Sequence, residues 1–227
     1  MDALIPGISD YCDRCCHRCP LTARCLTYRE SEGPLRRLAG DPTASVAVVV
    51  KQSLTRSIDT MRQIAQRLGI DIDPTPEEAA AAHARGDRDL NDRLVARSRE
   101  YARSAYGIVR ALAPILAERG DVELMAAVTR IEETCCTIAS KIYRAISGAG
   151  DECWDGGELQ DDANGSAKVA RLLMADARTA WRVLMEAGRA AADGVPARLI
   201  AALDDLDHGV AARFPHAMQF VRPGFDQ

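Results

Sequence analysis

The chain has 227 residues, a formal net charge of −4 at pH 7 and a sequence pI near 5.6. A chain of this length can bury a full core without disulfide bonds. The acidic balance argues against a broad electrostatic surface for DNA or RNA, so no nucleic-acid partner is expected. Only 4% of the residues are aromatic, and Ala, Leu, Arg and acidic residues dominate, which predicts an all-α fold.

The first residues, from Met1 to Pro6, contain neither a basic region nor an apolar run of the secretory type. The most apolar stretch, from Val46 to Val50, is interrupted by Lys51 and is too short to span a bilayer. We therefore expect a cytoplasmic protein with no membrane segment. In a reducing compartment the eight cysteines are expected to be metal ligands or thiols.

Five cysteines and one histidine lie within fourteen residues near the amino terminus, which predicts a thiolate metal site. One choice of ligands pairs Cys12 with Cys15 through a two-residue gap, as in zinc knuckles. The other choice is a C-x3-C-x2-C-x5-C run made of Cys12, Cys16, Cys19 and Cys25. Either choice leaves one cysteine over, and Cys15 is the alternative ligand.

Two cofactors suit such a site. Tetrahedral zinc takes four cysteines, or three cysteines and His17. A [4Fe–4S] cluster also takes four closely spaced thiolates, and Pro20 directly after Cys19 is typical of ferredoxin runs. We expect one site, with zinc preferred slightly, because a structural zinc can contribute on the order of 10 kcal/mol to folding of a short loop.

The rest of the chain predicts an up-and-down bundle of four long helices plus a fifth helix. Pro42 indicates a helix start and Gly69 a helix end, Pro114 is expected to kink a helix, and Gly120 joins two neighbours that we expect to be antiparallel. We divide the chain into a cysteine-rich metal-binding head, 1–40, and a helical bundle with a docking tail, 41–227. The predicted helices span 41–68, 76–84, 88–119, 122–147, 166–192 and 196–213.

Charged residues share a face of the helix predicted over 122–147. We expect this face to lie beside the start of the next predicted helix, 166–192, which follows an acidic loop. Together they predict a pocket for a small anionic ligand near a helix N-terminus. A solvated charged face or a network of ion pairs between helices is the alternative. The pocket residues are Glu133, Lys141, Arg144, Asp162, Ser166 and Lys168.

Three further cysteines have no assigned role. Cys135 and Cys136 are adjacent in mid-helix, so they cannot both face one direction, and at least one is expected in the core. Cys153 lies in an acidic loop and is expected to be a bystander.

Three segments together resemble a family of uncharacterised bacterial all-helical proteins. They are the head Y-C-D-R-x-C-x-R-C-x-x-T-x-R-C, the middle K-I-x-R-A with the later D-x-N-G-S-A-K-V-A, and the tail F-P-x-A-x-x-F-x-R-P-G-F-D. The resemblance implies that Cys12, Cys16, Cys19 and Cys25 are the ligands, whereas Cys15 stands where similar proteins carry Trp. It implies no activity.

The sequence thus favours a metal-binding helical bundle that serves as an adaptor or regulator. An enzyme with an interhelical pocket for a small anionic substrate, with Glu133 or Asp162 as acid or base, is the second hypothesis. An iron–sulfur redox sensor is the third. A homodimer is compatible with the Ala-rich composition.

Overall fold

The computed structural model describes residues 3–32, 46–69, 72–149, 159–187 and 194–226, and these residues form helices and turns without a β-strand. The predicted all-α class is therefore confirmed for the described chain. In the ranges that the structure describes, six α-helices follow the cysteine-rich segment: α1, Val46–Leu68; α2, Pro76–Leu90; α3, Arg93–Arg119; α4, Val122–Gly148; α5, Asp162–Glu186; and α6, Val195–Arg213. None of the helices in the described ranges has the length and apolar character needed to cross a bilayer.

The chain divides into two compact units. The first comprises Met1–Ser9 and Cys16–Arg85, and the second comprises Asp10–Cys15 and Gly86–Gln227. The first unit contains short 3-10 turns around the cysteines, a π-helical turn over Tyr28–Glu32 and helix α1. The second unit contains helices α3 to α6 together with the short cysteine-bearing segment from Asp10 to Cys15.

In the second unit, α3 packs against α4, α4 against α5, α5 against α6, and α6 against α3. The apolar faces of these helices enclose one core, because large aliphatic residues recur at helical spacing on each of them. Its centre includes Val109 of α3, Ile138 of α4, Trp181 of α5 and Leu203 of α6, all fully buried. The charged faces of α4 and α5 are thereby left beside each other at the edge of this core.

Local capping signals set the ends of these helices. Gly69 follows α1 with φ +67°, and Gly120 ends α3 with φ +66°, a conformation that glycine adopts without strain. Asp92 caps α3 by accepting the Leu94 amide at 2.8 Å. Both predicted glycine stops are thus confirmed, and Pro114 lies inside a helix that continues to Arg119.

Several predicted boundaries are wrong. The helix predicted to start at Arg88 starts at Arg93 because Asp92 is its cap, and the preceding helix continues to Leu90 instead of ending at Ala84. The helix predicted to start at Ser166 starts at Asp162, since Asp161 accepts the Asn164 amide and caps it. The predicted start at 41, the predicted end at 192 and Cys153 lie outside the described residues.

The carboxyl-terminal docking tail is built from turns. Residues Ala217–Gln219 form a 3-10 turn that contacts α5, and Phe225 and Asp226 both donate backbone hydrogen bonds to the Arg222 carbonyl. Phe220 is 3% exposed, so the tail docks on the helices through its aromatic side chain.

Candidate functional site

The segment from Asp10 to Cys15 lies on the polar edge of α4 and α5, and Arg144 of α4 is its main charged contact. The Arg144 guanidinium donates to both carboxylate oxygens of Asp162, at 2.8 and 2.7 Å, and to Asp10 at 3.2 Å. The hydrogen bond to Asp162 is the main reason that the pKa of Arg144 is raised. The bidentate pair fixes the orientation of the Asp162 carboxylate, while Asp10 accepts one hydrogen bond.

Lys141, one turn earlier on α4, holds the backbone of the same segment. Its ammonium donates to the Asp10 carbonyl oxygen, and the residue is 5% exposed. Burial lowers the pKa of Lys141 to about 8, and the nearby positive charge of Arg144 lowers it further. The ammonium group of this buried lysine therefore binds a backbone carbonyl of the protein.

The side chain of Tyr11 connects the Asp10–Cys15 segment to the carboxyl-terminal tail. Its ring centroid is 4.6 Å from that of Phe220, and its hydroxyl donates to Asp162 at 3.0 Å. Burial, with the adjacent Asp162 carboxylate, raises the pKa of the Tyr11 phenol. Gly165 lies under both rings, and a Cβ there would be 2.4 Å from Tyr11 Cε1 and 2.7 Å from Phe220 Cζ. The close approach requires glycine at this position.

Cys15 contacts α4 and is 5% exposed. Its thiol donates to the Glu133 carboxylate at a sulfur–oxygen distance of 3.5 Å, and Arg130 Nη1 lies 3.6 Å from the sulfur. The backbone before it turns through Arg14, which has φ +61°, and Asp13 accepts the Cys15 amide at 3.0 Å. The turn thus directs the Cys15 side chain to the helix surface.

Lys168 of α5 holds the tail. Its ammonium donates to the Phe220 carbonyl at 2.6 Å and pairs with Asp226 at 2.7 Å. Arg222 donates to the same Asp226 carboxylate at 2.7 Å, and these hydrogen bonds hold the pKa of Asp226 well below its usual range, with that from Arg222 as the largest cause. Asp226 therefore links two parts of the tail through Arg222, and it links the tail to α5 through Lys168.

The structure does not gather all six predicted pocket residues around one cavity. Lys141, Arg144 and Asp162 contact the Asp10–Tyr11 backbone and side chains, Glu133 contacts Cys15, and Lys168 contacts the tail. Ser166 is fully buried, and within the described chain its hydroxyl has no hydrogen-bond partner. The cations face acceptors supplied by the protein, and the anionic ligand stays a prediction.

The remaining head cysteines, Cys16, Cys19 and Cys25, lie in the first unit. Cys16 and Cys19 flank a 3-10 turn in which the Cys19 amide donates to the Cys16 carbonyl at 3.4 Å. The sulfur of Cys25 accepts the Tyr28 amide at 3.4 Å. This hydrogen bond orients the Cys25 side chain.

Among the residues that the structure describes, no cysteine is in a disulfide. In the same ranges no group of three or more His, Cys, Asp or Glu side chains is arranged to hold a metal ion. Cys12 belongs to the second unit and the other three predicted ligands belong to the first. The zinc or iron–sulfur site therefore stays a prediction from the sequence.

The adjacent cysteines of α4 point in different directions, as predicted. Cys135 is fully buried and Cys136 is exposed, with their sulfurs 4.0 Å apart. Burial raises the pKa of Cys135 to about 12. Nearby, Trp181 donates its indole N–H to the Tyr101 hydroxyl at 3.2 Å, and both side chains are buried. Cys135 is therefore a core residue.

A pocket of about 200 Å³ lies between α3 and α6, away from the predicted residues. Leu199 and Leu206 line its apolar side, and Arg97 at its rim pairs with Asp205 at 2.6 Å. No residue of this pocket was singled out in the sequence.

Sequence reasoning also missed several residues that hold the two docked segments. They lie far from their partners along the chain. Several stand in the three segments that carry the resemblance, but only Gly165 carried a physical signal, since an isolated glycine in a helix often has a packing role. The missed residues are Asp10, Tyr11, Asp13, Arg130, Gly165, Phe220 and Asp226.

Comparison with known proteins adds no further information: no family model matches the chain, and neither the curated proteins nor the solved structures provide a match.

Proposed function

We propose that this protein is a metal-binding helical protein, in which Cys12, Cys16, Cys19 and Cys25 hold a single zinc ion or [4Fe–4S] cluster. Zinc is slightly preferred. The protein would act as an adaptor or regulator in a reducing compartment, with four long helices in up-and-down order and a fifth helix. The spacing of these cysteines in the sequence is the basis of the proposal.

The position of Cys15 supports this choice of ligands. The proposed site takes four ligands, whereas the head has five cysteines. The Cys15 thiol already contacts Glu133 and Arg130 on α4. The Cys15 side chain is buried, whereas Cys12, Cys16, Cys19 and Cys25 are half-buried, so Cys15 is the least accessible of the five to a metal. Cys15 is therefore the cysteine left over.

The contacts in the first unit also support the proposal. The turn between Cys16 and Cys19 has the two-residue gap of metal-binding knuckles, and the amide of Tyr28 is directed at the sulfur of Cys25. Such amide–sulfur hydrogen bonds stabilise bound thiolates. The resemblance to a family with the same cysteine run assigns the same four ligands.

The experiment is metal analysis of single serine variants purified without oxygen. Substitution of any of the four proposed ligands is expected to lower the metal content to less than half of that in the wild-type chain. Cys15→Ser and Cys136→Ser are the matched controls and should retain full metal. Loss of metal in Cys15→Ser, with retention in one of the four, would show that the ligand set is wrong.

Visible absorption of the same samples distinguishes the two cofactors. A brown protein with a broad absorption band contains an iron–sulfur cluster, which would favour a role in redox sensing. A colourless protein with one zinc per chain favours a structural site.

A further inference from the structure

Tyr11, near the amino terminus, and Phe220, in the carboxyl-terminal tail (residues 214–226), pack against each other. Their ring centroids are 4.6 Å apart with an interplanar angle of 52°, and both rings cover the Cβ position of Gly165 in α5. Among the residues that the structure describes, no other aromatic ring packs against Tyr11. The tail therefore supplies part of the packing of the segment that contains Tyr11.

The tail is held in place by polar contacts that do not involve Tyr11. Lys168 of α5 donates to the Phe220 carbonyl at 2.6 Å and pairs with Asp226 at 2.7 Å. Arg222 donates to the same Asp226 carboxylate at 2.7 Å. Terminal segments are ordered only where such contacts tie them down. The position of the Phe220 ring thus depends on the contacts that Asp226 and Lys168 make.

The segment Asp10–Cys15 contacts α4 near both of its ends. Arg144 pairs with the first residue at 3.2 Å, and Glu133 accepts a hydrogen bond from the thiol of the last residue at 3.5 Å. The ion pair is partly exposed to solvent, so it contributes little by itself. Aromatic pairs, in contrast, stabilise beyond the area that they bury. Because Tyr11 belongs to the segment and Phe220 to the tail, each of the two is more stable when the other is docked, and this coupling is reciprocal.

We propose that the carboxyl-terminal tail is a latch for the Asp10–Cys15 segment: the Tyr11–Phe220 ring pair keeps the segment docked, and release of the tail exposes Cys15. In the docked state Cys15 is 5% exposed. The tail thereby regulates access to the cysteine-bearing segment. Cys12 lies in the same segment, so the latch also controls one of the proposed metal ligands. That consequence rests on the proposed function, whereas the latch itself does not.

The test is the rate at which iodoacetamide modifies Cys15 in the native full chain, measured by peptide mass spectrometry. Phe220→Leu keeps an apolar side chain in the tail but removes the ring that packs on Tyr11, and it is expected to raise this rate about two- to tenfold. The matched control is Phe214→Leu, the same change at a similarly buried residue, 6% exposed against 3% for Phe220. Phe214 makes no ring contact with Tyr11, so this control should leave the rate at Cys15 unchanged. Cys135 reports on opening of the core in the same samples and should stay unmodified.

A second variant covers the case in which Phe220→Leu fails to fold. Asp226→Asn loosens the tail without changing either ring and is expected to raise the rate at Cys15 about threefold or more. Its matched control, Asp205→Asn, removes only a surface ion pair with Arg97 and should not raise it.

Cys15 is outside the proposed ligand set, so these rates test the latch whether or not the chain binds metal. A rate at Cys15 that is no higher in a folded tail variant than in its control would overturn the proposal. Modification of Cys135 that rises together with that of Cys15 would also overturn it, since the whole core would then be opening.

Discussion

Gly165 lies directly beneath the ring of Tyr11, so close that a Cβ on Gly165 would be 2.4 Å from Tyr11 Cε1. This contact joins a residue in the first turns of α5 to the cysteine-bearing segment near the amino terminus. Phe220 of the tail meets the same glycine from the other side, at 2.7 Å. Both docked segments of the second unit therefore depend on the absence of a side chain at one position.

Gly165→Ala is expected to destabilise the protein by about 1–3 kcal/mol, because an added methyl group in a packed site displaces its neighbours. Denaturant unfolding measures this change. Gly107→Ala is the matched control, since Gly107 is also in a helix but has no atom within 4 Å of its Cβ position. That control should be neutral or stabilising by up to about 1 kcal/mol. Equal effects of the two substitutions would contradict the packing described for Tyr11.

Arg144→Gln is expected to loosen the Asp10–Cys15 segment, because the ion pairs with Asp162 and Asp10 are lost. Hydrogen exchange of residues 10–15 should become faster by about fivefold, a modest effect because solvent screens a partly exposed guanidinium. Arg97→Gln is the control: Arg97 pairs with Asp205 and has a similar exposure, 37% against 40% for Arg144. Protection of residues 10–15 that is the same in Arg144→Gln and wild type would show that these ion pairs do not hold the segment.

Asp226→Asn is expected to destabilise the protein by about 1–2 kcal/mol at neutral pH, since it removes a carboxylate that Arg222 and Lys168 share. The folded-state pKa of Asp226 lies below its ordinary value of 3.8, so its contribution is present above pH 3.8 and is lost as the pH falls through the folded-state pKa. The difference between variant and wild type in the free energy of unfolding should therefore shrink in acid. A difference that is independent of pH would contradict this assignment.

The two adjacent cysteines of α4 are expected to differ in reactivity. Cys136 is exposed, whereas Cys135 is fully buried with a pKa raised to about 12. Brief treatment of the native protein with iodoacetamide, followed by peptide mass spectrometry, should show modification of Cys136 and protection of Cys135. The denatured protein is the control and should be modified at both residues. Comparable modification of both in the native protein would mean that this part of the core opens readily.

The helices were largely predictable because their signals are local. Gly69 and Gly120 end helices through their own backbone conformations, and the apolar residues of α4 recur at helical spacing. The errors at Arg88 and Ser166 arose because Asp92, inside one predicted span, and Asp161, before the other, act as caps. A cap is recognised only when its side chain is known to meet the amide two or three residues later.

The contacts of the site were less predictable because they join distant parts of the chain. Arg144 and Asp10 are 134 positions apart, and no periodicity relates them. The sequence placed Lys141 and Arg144 on one face of a helix, as the structure does, and the Arg144–Asp162 pair agrees with the alternative of ion pairs between helices. It gave no indication that the carbonyl and the carboxylate of Asp10 would meet the same cations. The six residues were predicted to line a pocket for an anionic ligand, whereas in the structure they contact different parts of the chain and Ser166 is fully buried.

The central claim is that four of the amino-terminal cysteines bind one metal centre, and it is tested most directly by elemental analysis of the full chain purified without oxygen. The account predicts either one zinc per chain in a colourless protein or about four irons with four sulfides in a brown one. A fully folded, helical wild-type chain that contains neither zinc nor iron in stoichiometric amount would contradict it.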